Sequence, residues 1–295
     1  MLIKSTWLHL RFPFSFFLMP VYVFALGVSP NLNGSQLLWS FVIVHLLLYP
    51  ASNGFNSYFD KDEMSIGGLK NPPPVNKGLY YSALALDALA ILLGALKINF
   101  WFAGMLLIYG LASKAYSHPS IRLKKFPVGG WLTVGFFQGF FAFLMCYAGI
   151  NKYGLENLVN ERVIIPAILS SLMLLGTYPM TQIYQHQEDR TRGDQTLSLM
   201  LGIRGTFVFV LIVFTVATGA YLWYFFQYFN ARFILAFLLS LSPVVIYFLI
   251  WLRLSWQNPE KANYSRTMWL NFLSAFCLNG FFIWFFFETS HLLQL

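Results

Sequence analysis

The stretch GTFVFVLIVFTVATGAYLWYFFQYFNARFILAFLLSLSPVVIYFLIWL, residues 205–252, holds one charged side chain, Arg232, in 48 positions. Two apolar runs, 205–228 and 232–252, flank the polar break around Asn230. Each is long enough to cross a bilayer, whose hydrocarbon core takes ~20 mainly apolar residues as a helix. Working outward, seven further runs of the same kind lie at 12–28, 36–55, 79–96, 98–114, 129–149, 163–184 and 267–287. The third and fourth spans of the resulting series are separated only by Lys97 to Asn99, which demands a tight hairpin. The whole 295-residue chain is 58% hydrophobic and 10% charged, against about 25% charged in a soluble domain. No polar block is long enough to form a soluble domain. The expected fold is therefore all-α, one integral membrane domain over residues 1–295, a bundle of about nine transmembrane helices. The N-terminal apolar run lacks a small-residue cleavage site and precedes many others, so it reads as the first span. Cys146 and Cys277 lie inside apolar runs away from any His cluster and read as small buried side chains.

Charge separates the two faces of this bundle. The N-terminus and the loops after spans 2, 4, 6 and 8 carry 15 of the 19 basic residues. The other face has only Lys97, Lys152, Arg162 and Arg232. The positive-inside rule puts the basic face and the N-terminus in the cytoplasm and the C-terminus outside. The expected location is a bacterial inner membrane. The net charge of +8 mostly reflects this bias, so headgroup contact explains it better than nucleic-acid binding.

Acids follow the same face, and six of its seven fall in two loops. The first loop is NGFNSYFDKDEMSIGGLKNPPP, residues 53–74, with Asp60, Asp62 and Glu63. Asn56 and Asp60 are four apart and share a face if span 2 continues as a helix. The second is YQHQEDRTRGDQTLSLMLG, residues 184–202, with Glu188, Asp189 and Asp194 among Arg190 and Arg192. Each loop follows an even-numbered span, four spans apart, a weak internal repeat that would bring both clusters to one mouth of the bundle. Clustered carboxylates repel unless a cation neutralises them. Oxygen ligands without His or Cys favour Mg²⁺, which completes its shell with water and phosphate oxygens. Acids, bases and an apolar cavity together suit a lipid diphosphate, the head on metal and the tail between helices.

These residues resemble the UbiA superfamily of intramembrane aromatic prenyltransferases. NSYFD, 56–60, is similar to the first Asp-rich motif, usually Asn-Asp-x-x-Asp-x-x-x-Asp. QHQEDRTRGDQTLSLMLG, 185–202, is similar to the second, commonly Asp-x-x-x-Asp-Arg-x-x-Gly-x-x-Thr-Leu. KAYSHPSIRLKKFP, 114–127, looks like the family's Tyr-Ser loop. This chain departs from the pattern at Ser57, Met64 and Gln185, and Lys70 stands near a frequent Arg. The resemblance implies a UbiA-like fold and transfer of a prenyl group from a polyprenyl diphosphate to a hydrophobic acceptor, an aromatic ring or quinone precursor. It implies Mg²⁺ as cofactor, with Asp60, Asp62, Glu63, Gln185, Glu188 and Asp189 as candidate metal ligands. Asn56, Lys70, Arg122, Lys124 and Arg190 become candidate diphosphate ligands, and Asp60, Asp189 and Tyr116 candidate catalytic residues. Tyr116 and Tyr184 are candidate π-faces for a carbocation.

Other polar residues read differently. His186 is a candidate phosphate contact, His45 an interhelical hydrogen-bonding residue, and Asn271 and Asn279 interhelical glue. Asp87, the one acid deep in an apolar run, is a functional candidate. Phe285 to Phe287 read as lipid-facing. Two rival functions stand beside the transferase: a non-catalytic prenyl-lipid-binding relative, and a small-molecule transporter, which requires ionisable or broken helices near the midplane.

Overall fold

The computed structural model describes residues 2–290, with side chains from residue 4 onward. Among them every regular element is helical; the one extended pairing is an isolated bridge between Ile66 and Leu69. The chain opens with α1 (Leu2–Leu10), a 3₁₀ turn (Phe12–Phe17) and α2 (Met19–Gly27). Then come α3 (Gly34–Asp60), α4 (Lys77–Lys97), α5 (Phe100–Ser117), α6 (Pro127–Asn151) and α7 (Glu161–Thr181). A short α8 (His186–Arg192) precedes α9 (Leu197–Tyr228), α10 (Ala231–Gln257) and α11 (Tyr264–Ser290). Asparagine starts many of these helices because its side-chain oxygen satisfies an orphan N–H of the first turn. Asn33, Asn76, Asn99, Asn160 and Asn230 all cap in this way. The hairpin expected at Lys97 to Asn99 is present, with Asn99 Oδ1 accepting from the Phe102 amide at 2.8 Å.

All nine expected segments are helical. Among the described residues, seven helices qualify as membrane crossings by length and apolarity, or up to eight if the bent pair Lys4–Phe17 and Met19–Gly27 counts as one. The remaining segment, α5, has 18 residues and packs along α4. The first span differs from its expectation over 12–28: it is turned by 41°, with Pro13 and Pro20 at the starts of the 3₁₀ turn and α2. Proline removes a backbone donor and crowds the preceding turn. Leu111, Val216, Phe226, Leu239, Ile246 and Phe276 are exposed on the outside, as a lipid-facing surface requires.

The main core is aromatic. Phe24 stacks on Phe282 at 4.6 Å, and Tyr221, Phe225, Phe237, Phe281 and Phe285 pack around it. Phe285 is fully buried, so the lipid-facing reading fails there: the helix turns this ring inward. A second core around Trp251 lies beneath the second acidic loop, where the indole donates to the Lys261 carbonyl at 2.7 Å. Asp87 is buried and paired with Lys114 across the α4–α5 contact. Lys114, counted above among loop cations, thus lies within α5, and Asp87 is neutralised by a neighbouring helix. His45 packs among the rings of Tyr22, Phe41 and Tyr49. Asn279 donates to the Phe16 carbonyl at 3.4 Å, joining α11 to the N-terminal segment.

Candidate active site

Helix α3 runs on as far as Asp60, so Asn56 and Asp60 share one face at its end. Lys61, with φ 51°, terminates the helix, and Asp62 follows it into the loop. Asn56 donates to the Ser117 hydroxyl at 2.8 Å, tying this corner to the end of α5. Across the bundle, Pro179 tightens the end of α7 into a 3₁₀ turn carrying Tyr178 and Thr181. Asp189 and Arg192, three apart on α8, face the same way, and Gly193 (φ 75°) caps the helix in the left-handed region, where glycine has no Cβ penalty. Thr196 caps α9 and donates its hydroxyl to Asp189 at 3.1 Å. The Gln195 amide bonds to the Lys125 carbonyl at 3.2 Å, stitching the basic loop to this second corner.

The two corners face one cleft. Its walls include Arg11, Asn56, Asp60, Asp62, Tyr116, Lys124, Tyr178, Tyr184, Gln185, Asp189, Arg192, Asp194 and Asn271. Beneath it an apolar cavity of about 220 Å³ is lined by Phe17, Met173, Leu174, Tyr221, Leu278 and Phe282. Phe14, Tyr178, Thr181 and Asn271 line both spaces, so the polar cleft and the apolar cavity adjoin and share a wall.

Apart from Arg11, which bonds to the Gly67 and Asn53 carbonyls, the charges in the cleft are paired. Arg122 grips Asp194 with Nε at 2.7 Å and Nη2 at 2.8 Å, and reaches Asp60 at 3.4 Å. Lys124 pairs with Asp60 and lies 3.8 Å from Asp194. Burial pushes Asp194 up, but the Arg122 hydrogen bond and the Lys124, Arg122 and Arg192 charges outweigh it and hold this carboxyl below its ordinary value. Asp189 goes the other way. Burial raises it to about 6, against the opposing pull of Arg192, Thr196 and Lys124. Arg122 and Arg192 are held more firmly charged than usual: burial opposes this, but their carboxylate partners prevail. Burial and the nearby Arg190 lower His186 to about 4, so it is neutral and hydrogen-bonded to Ser198 at 2.8 Å.

Of the expected site residues, Asn56, Asp60, Asp62, Tyr116, Lys124, Gln185 and Asp189 meet in the cleft, and Arg122 braces two of its acids from behind. Four others do not join them. Glu63, Lys70 and Arg190 are exposed and outside the lining. Glu188 turns its carboxylate to the Glu63 and Met64 amides at 2.8 and 3.5 Å, which makes it a clasp between the two loops. His186 likewise fastens α8 to α9 and is not a cleft residue. Asn271, expected as glue, lines the cleft. Ser57 is buried and Met64 exposed, neither lining it. Arg11, Tyr178, Arg192 and Asp194 were assigned no site role from the sequence. Arg192 and Asp194 were within the quoted motif, whereas Arg11 and Tyr178 carried no local signal. Arg11 donates to the Gly67 carbonyl at 3.0 Å, and the Tyr178 hydroxyl pairs with that of Tyr116.

The model of the UbiA prenyltransferase family matches residues 15–286. The chain belongs to this family. Its fold is that of solved UbiA structures. A UbiA homolog from Archaeoglobus fulgidus, bound to GPP and Mg²⁺, superposes with a TM-score of 0.68 at 19% identity, covering 97% of this chain and 99% of that one. The apo UbiA homolog from Aeropyrum pernix K1 gives 0.69 at 16% identity, covering 96% and 98%. A digeranylgeranylglyceryl phosphate synthase gives 0.60 at 18% identity, covering 95% and 97%. Among curated proteins, none matches.

Proposed function

We propose that this UbiA family member transfers a prenyl group from a polyprenyl diphosphate to a hydrophobic acceptor, an aromatic ring or quinone precursor, with Mg²⁺. The observation that carries this reading is a doubly acidic, basic-lined cleft that adjoins an apolar cavity in the bundle. The solved homolog that binds GPP and Mg²⁺ supports it. The donor set suits the metal: carboxylates of Asp60, Asp62 and Asp189 with the amides of Asn56 and Gln185, all hard oxygens on one cleft. Among the described residues no three His, Cys, Asp or Glu side chains already converge as a cage. That fits an ion bound by one or two carboxylates whose remaining ligands come from the substrate diphosphate. When bound, the ion supplies Lewis-acid stabilisation of charge on the leaving diphosphate.

The residues of the chain do the rest. Lys124 and Arg11 present fixed positive charge to diphosphate oxygens, preorganised by their own bonds to Asp60 and the Gly67 carbonyl. The allylic C–O bond breaks with its electron pair leaving on diphosphate. Tyr178, which lines both cleft and cavity, and its hydroxyl partner Tyr116 in the cleft wall offer their ring faces to the carbocation, an attraction of ~2 kcal/mol when desolvated. The acceptor carbon then bonds to the cation and the ring loses a proton. Phe17, Leu278 and Phe282 exclude water from that carbon. The motif loops and the N-terminus face the cytoplasm in this proposal, and the C-terminus lies outside.

The direct test is purified protein with a polyprenyl diphosphate, Mg²⁺ and a panel of phenolic and quinol acceptors. Pyrophosphate release in step with a prenylated product, identified by mass spectrometry, is the expected result. A protein that binds the diphosphate yet releases nothing with any acceptor would be a binding relative instead.

The raised Asp189 carboxyl makes metal binding depend on pH. The group holds its proton to about pH 6 in the folded, metal-free protein, and a bound cation must displace that proton. Pyrophosphate takes up protons in this range itself, so the Asp189 contribution is read against Asp189→Asn with the same ligand. The ratio of the two affinities should be flat above pH 7 and should fall roughly tenfold per pH unit below the Asp189 value, the native protein releasing one more proton per ion bound. Titration calorimetry in buffers of different ionisation enthalpy measures both, and a ratio independent of pH between 5 and 7 would contradict the assignment.

A further inference from the structure

Arg192 stands where the two acidic corners meet. Its Nη1 is 2.6 Å from Asp62 Oδ1 and 3.2 Å from the Asp60 carbonyl oxygen. Its Nη2 is 3.5 Å from Asp189 Oδ1, and its Nε is 3.2 Å from Asp194 Oδ2. One guanidinium therefore touches acids contributed by both loops. Its grip is uneven: the Asp62 contact is short, the Asp189 contact is at the limit of a hydrogen bond, and Nε is buried without an aligned partner. Arg122 and Lys124, the other cations close to these acids, pair with Asp60 and Asp194 and leave Asp189 to Arg192.

We infer that Arg192 is a built-in counter-cation: it neutralises Asp62 and Asp189 in the resting protein and gives them up only when a divalent cation arrives together with a diphosphate. This rests on the prenyl-diphosphate reading of the cleft and adds an order of binding to it. Charge arithmetic makes the argument. Asp60, Asp62, Asp189 and Asp194 face Arg11, Arg122, Lys124 and Arg192, four acids against four bases, so the cleft is already balanced. A bare dication entering among them leaves it two charges positive and must push aside a guanidinium that has nowhere better to go. A cation with diphosphate brings anionic oxygens with it. The displaced Arg192 then exchanges two carboxylates for phosphate, which its planar fork of donors matches equally well. The metal enters as its diphosphate complex.

The test is Mn²⁺ binding by electron paramagnetic resonance at pH 8, where Asp189 is ionised, with and without inorganic pyrophosphate and without turnover. The native protein is expected to bind Mn²⁺ at least tenfold more tightly with pyrophosphate than without. Arg192→Gln should bind Mn²⁺ alone at least tenfold more tightly than the native protein, while Arg192→Lys, which keeps the charge, should stay near native. A guanidinium that merely braces the loops predicts the opposite, weaker binding in Arg192→Gln, and that result or no change overturns the inference. If Arg192→Gln does not fold, the native protein decides alone, since equal affinity with and without pyrophosphate also overturns it. Failure to bind Mn²⁺ under either condition would take down the diphosphate reading itself, and the inference with it.

Discussion

Asp189→Asn is expected to lower prenyl transfer by about 10²–10³-fold, the usual cost of removing one preorganised electrostatic group, with the bundle still folded. The substitution is well chosen by the geometry. Asp189 is buried, and its carboxylate accepts from Thr196 and lies 3.5 Å from Arg192. An asparagine carbonyl can accept the same Thr196 hydroxyl, so the cap of α9 survives. What disappears is the negative charge that holds the metal, and through it the diphosphate. Asp60→Asn would be a poorer probe, because it removes the close partner of the part-buried Lys124, leaving it only Asp194 at 3.8 Å, and loosens the second contact of Arg122; a poorly paired buried charge costs stability by itself. The companion variant is Glu188→Gln. Its neighbouring carboxylate bonds to two backbone amides outside the cleft, so its loss should be far smaller. Rates of pyrophosphate release, with thermal unfolding in detergent as the folding control, separate the two. Comparable losses in both variants would mean that the metal lies on the Glu188 side and the cleft assignment is wrong.

That contrast between adjacent acids shows what could be read from the sequence. The pairing of Asn56 with Asp60 was legible because helical periodicity alone puts residues four apart on one face, provided α3 runs on to Asp60. The two acidic loops were legible as a pair because the spans between them could be counted. The choice between Glu188 and Asp189 was not. Consecutive residues on a helix point about 100° apart, and only the phase of α8, seven residues held by Gln185 and Gly193, decides which one faces the cleft. Arg11 and Tyr178 were invisible for another reason. They reach the cleft through a bend near Pro13 and a 3₁₀ turn at Pro179, and their partners, Gly67 and Tyr116, lie far away in sequence. Phe285 shows the same limit in the core. In an all-apolar helix the pattern cannot tell the lipid side from the packed side, and only the rings of Phe225, Phe233 and Phe281 around it do.

The largest effect on the fold is expected at Gly139, where the backbone of α7 lies directly against α6. A Cβ there would lie 2.4 Å from the Ser171 Cα and 2.7 Å from its amide nitrogen. Both are backbone atoms, so no side chain can rotate away. Gly135, one turn earlier, would meet Leu175 at 2.2 Å, a flexible side chain that can move. Small residues four apart let membrane helices pack backbone to backbone, where dispersion and interhelical hydrogen bonds replace the hydrophobic effect. Those hydrogen bonds are present: Ser171 donates to the Gly135 carbonyl at 2.7 Å and Trp131 to the Leu175 carbonyl at 2.8 Å. The segment Gly135–Phe141 is wound as a π-helix, a widened turn of the kind that frequently marks functional sites. Gly139→Ala should therefore cost about 1–3 kcal/mol, the usual penalty of overpacking, and Gly139→Val more. Because α7 ends in the turn carrying Tyr178 and Thr181, pushing it outward should reduce prenyl transfer as well. Gly104→Ala is the control, since a Cβ there meets nothing within 4 Å, and alanine in a helix interior is favoured over glycine by roughly 0.5–1 kcal/mol. Thermal unfolding in detergent should show a lower midpoint for Gly139→Ala and an equal or higher one for Gly104→Ala. Equal midpoints for Gly139→Ala and the native protein would mean that α6 and α7 do not lie backbone to backbone.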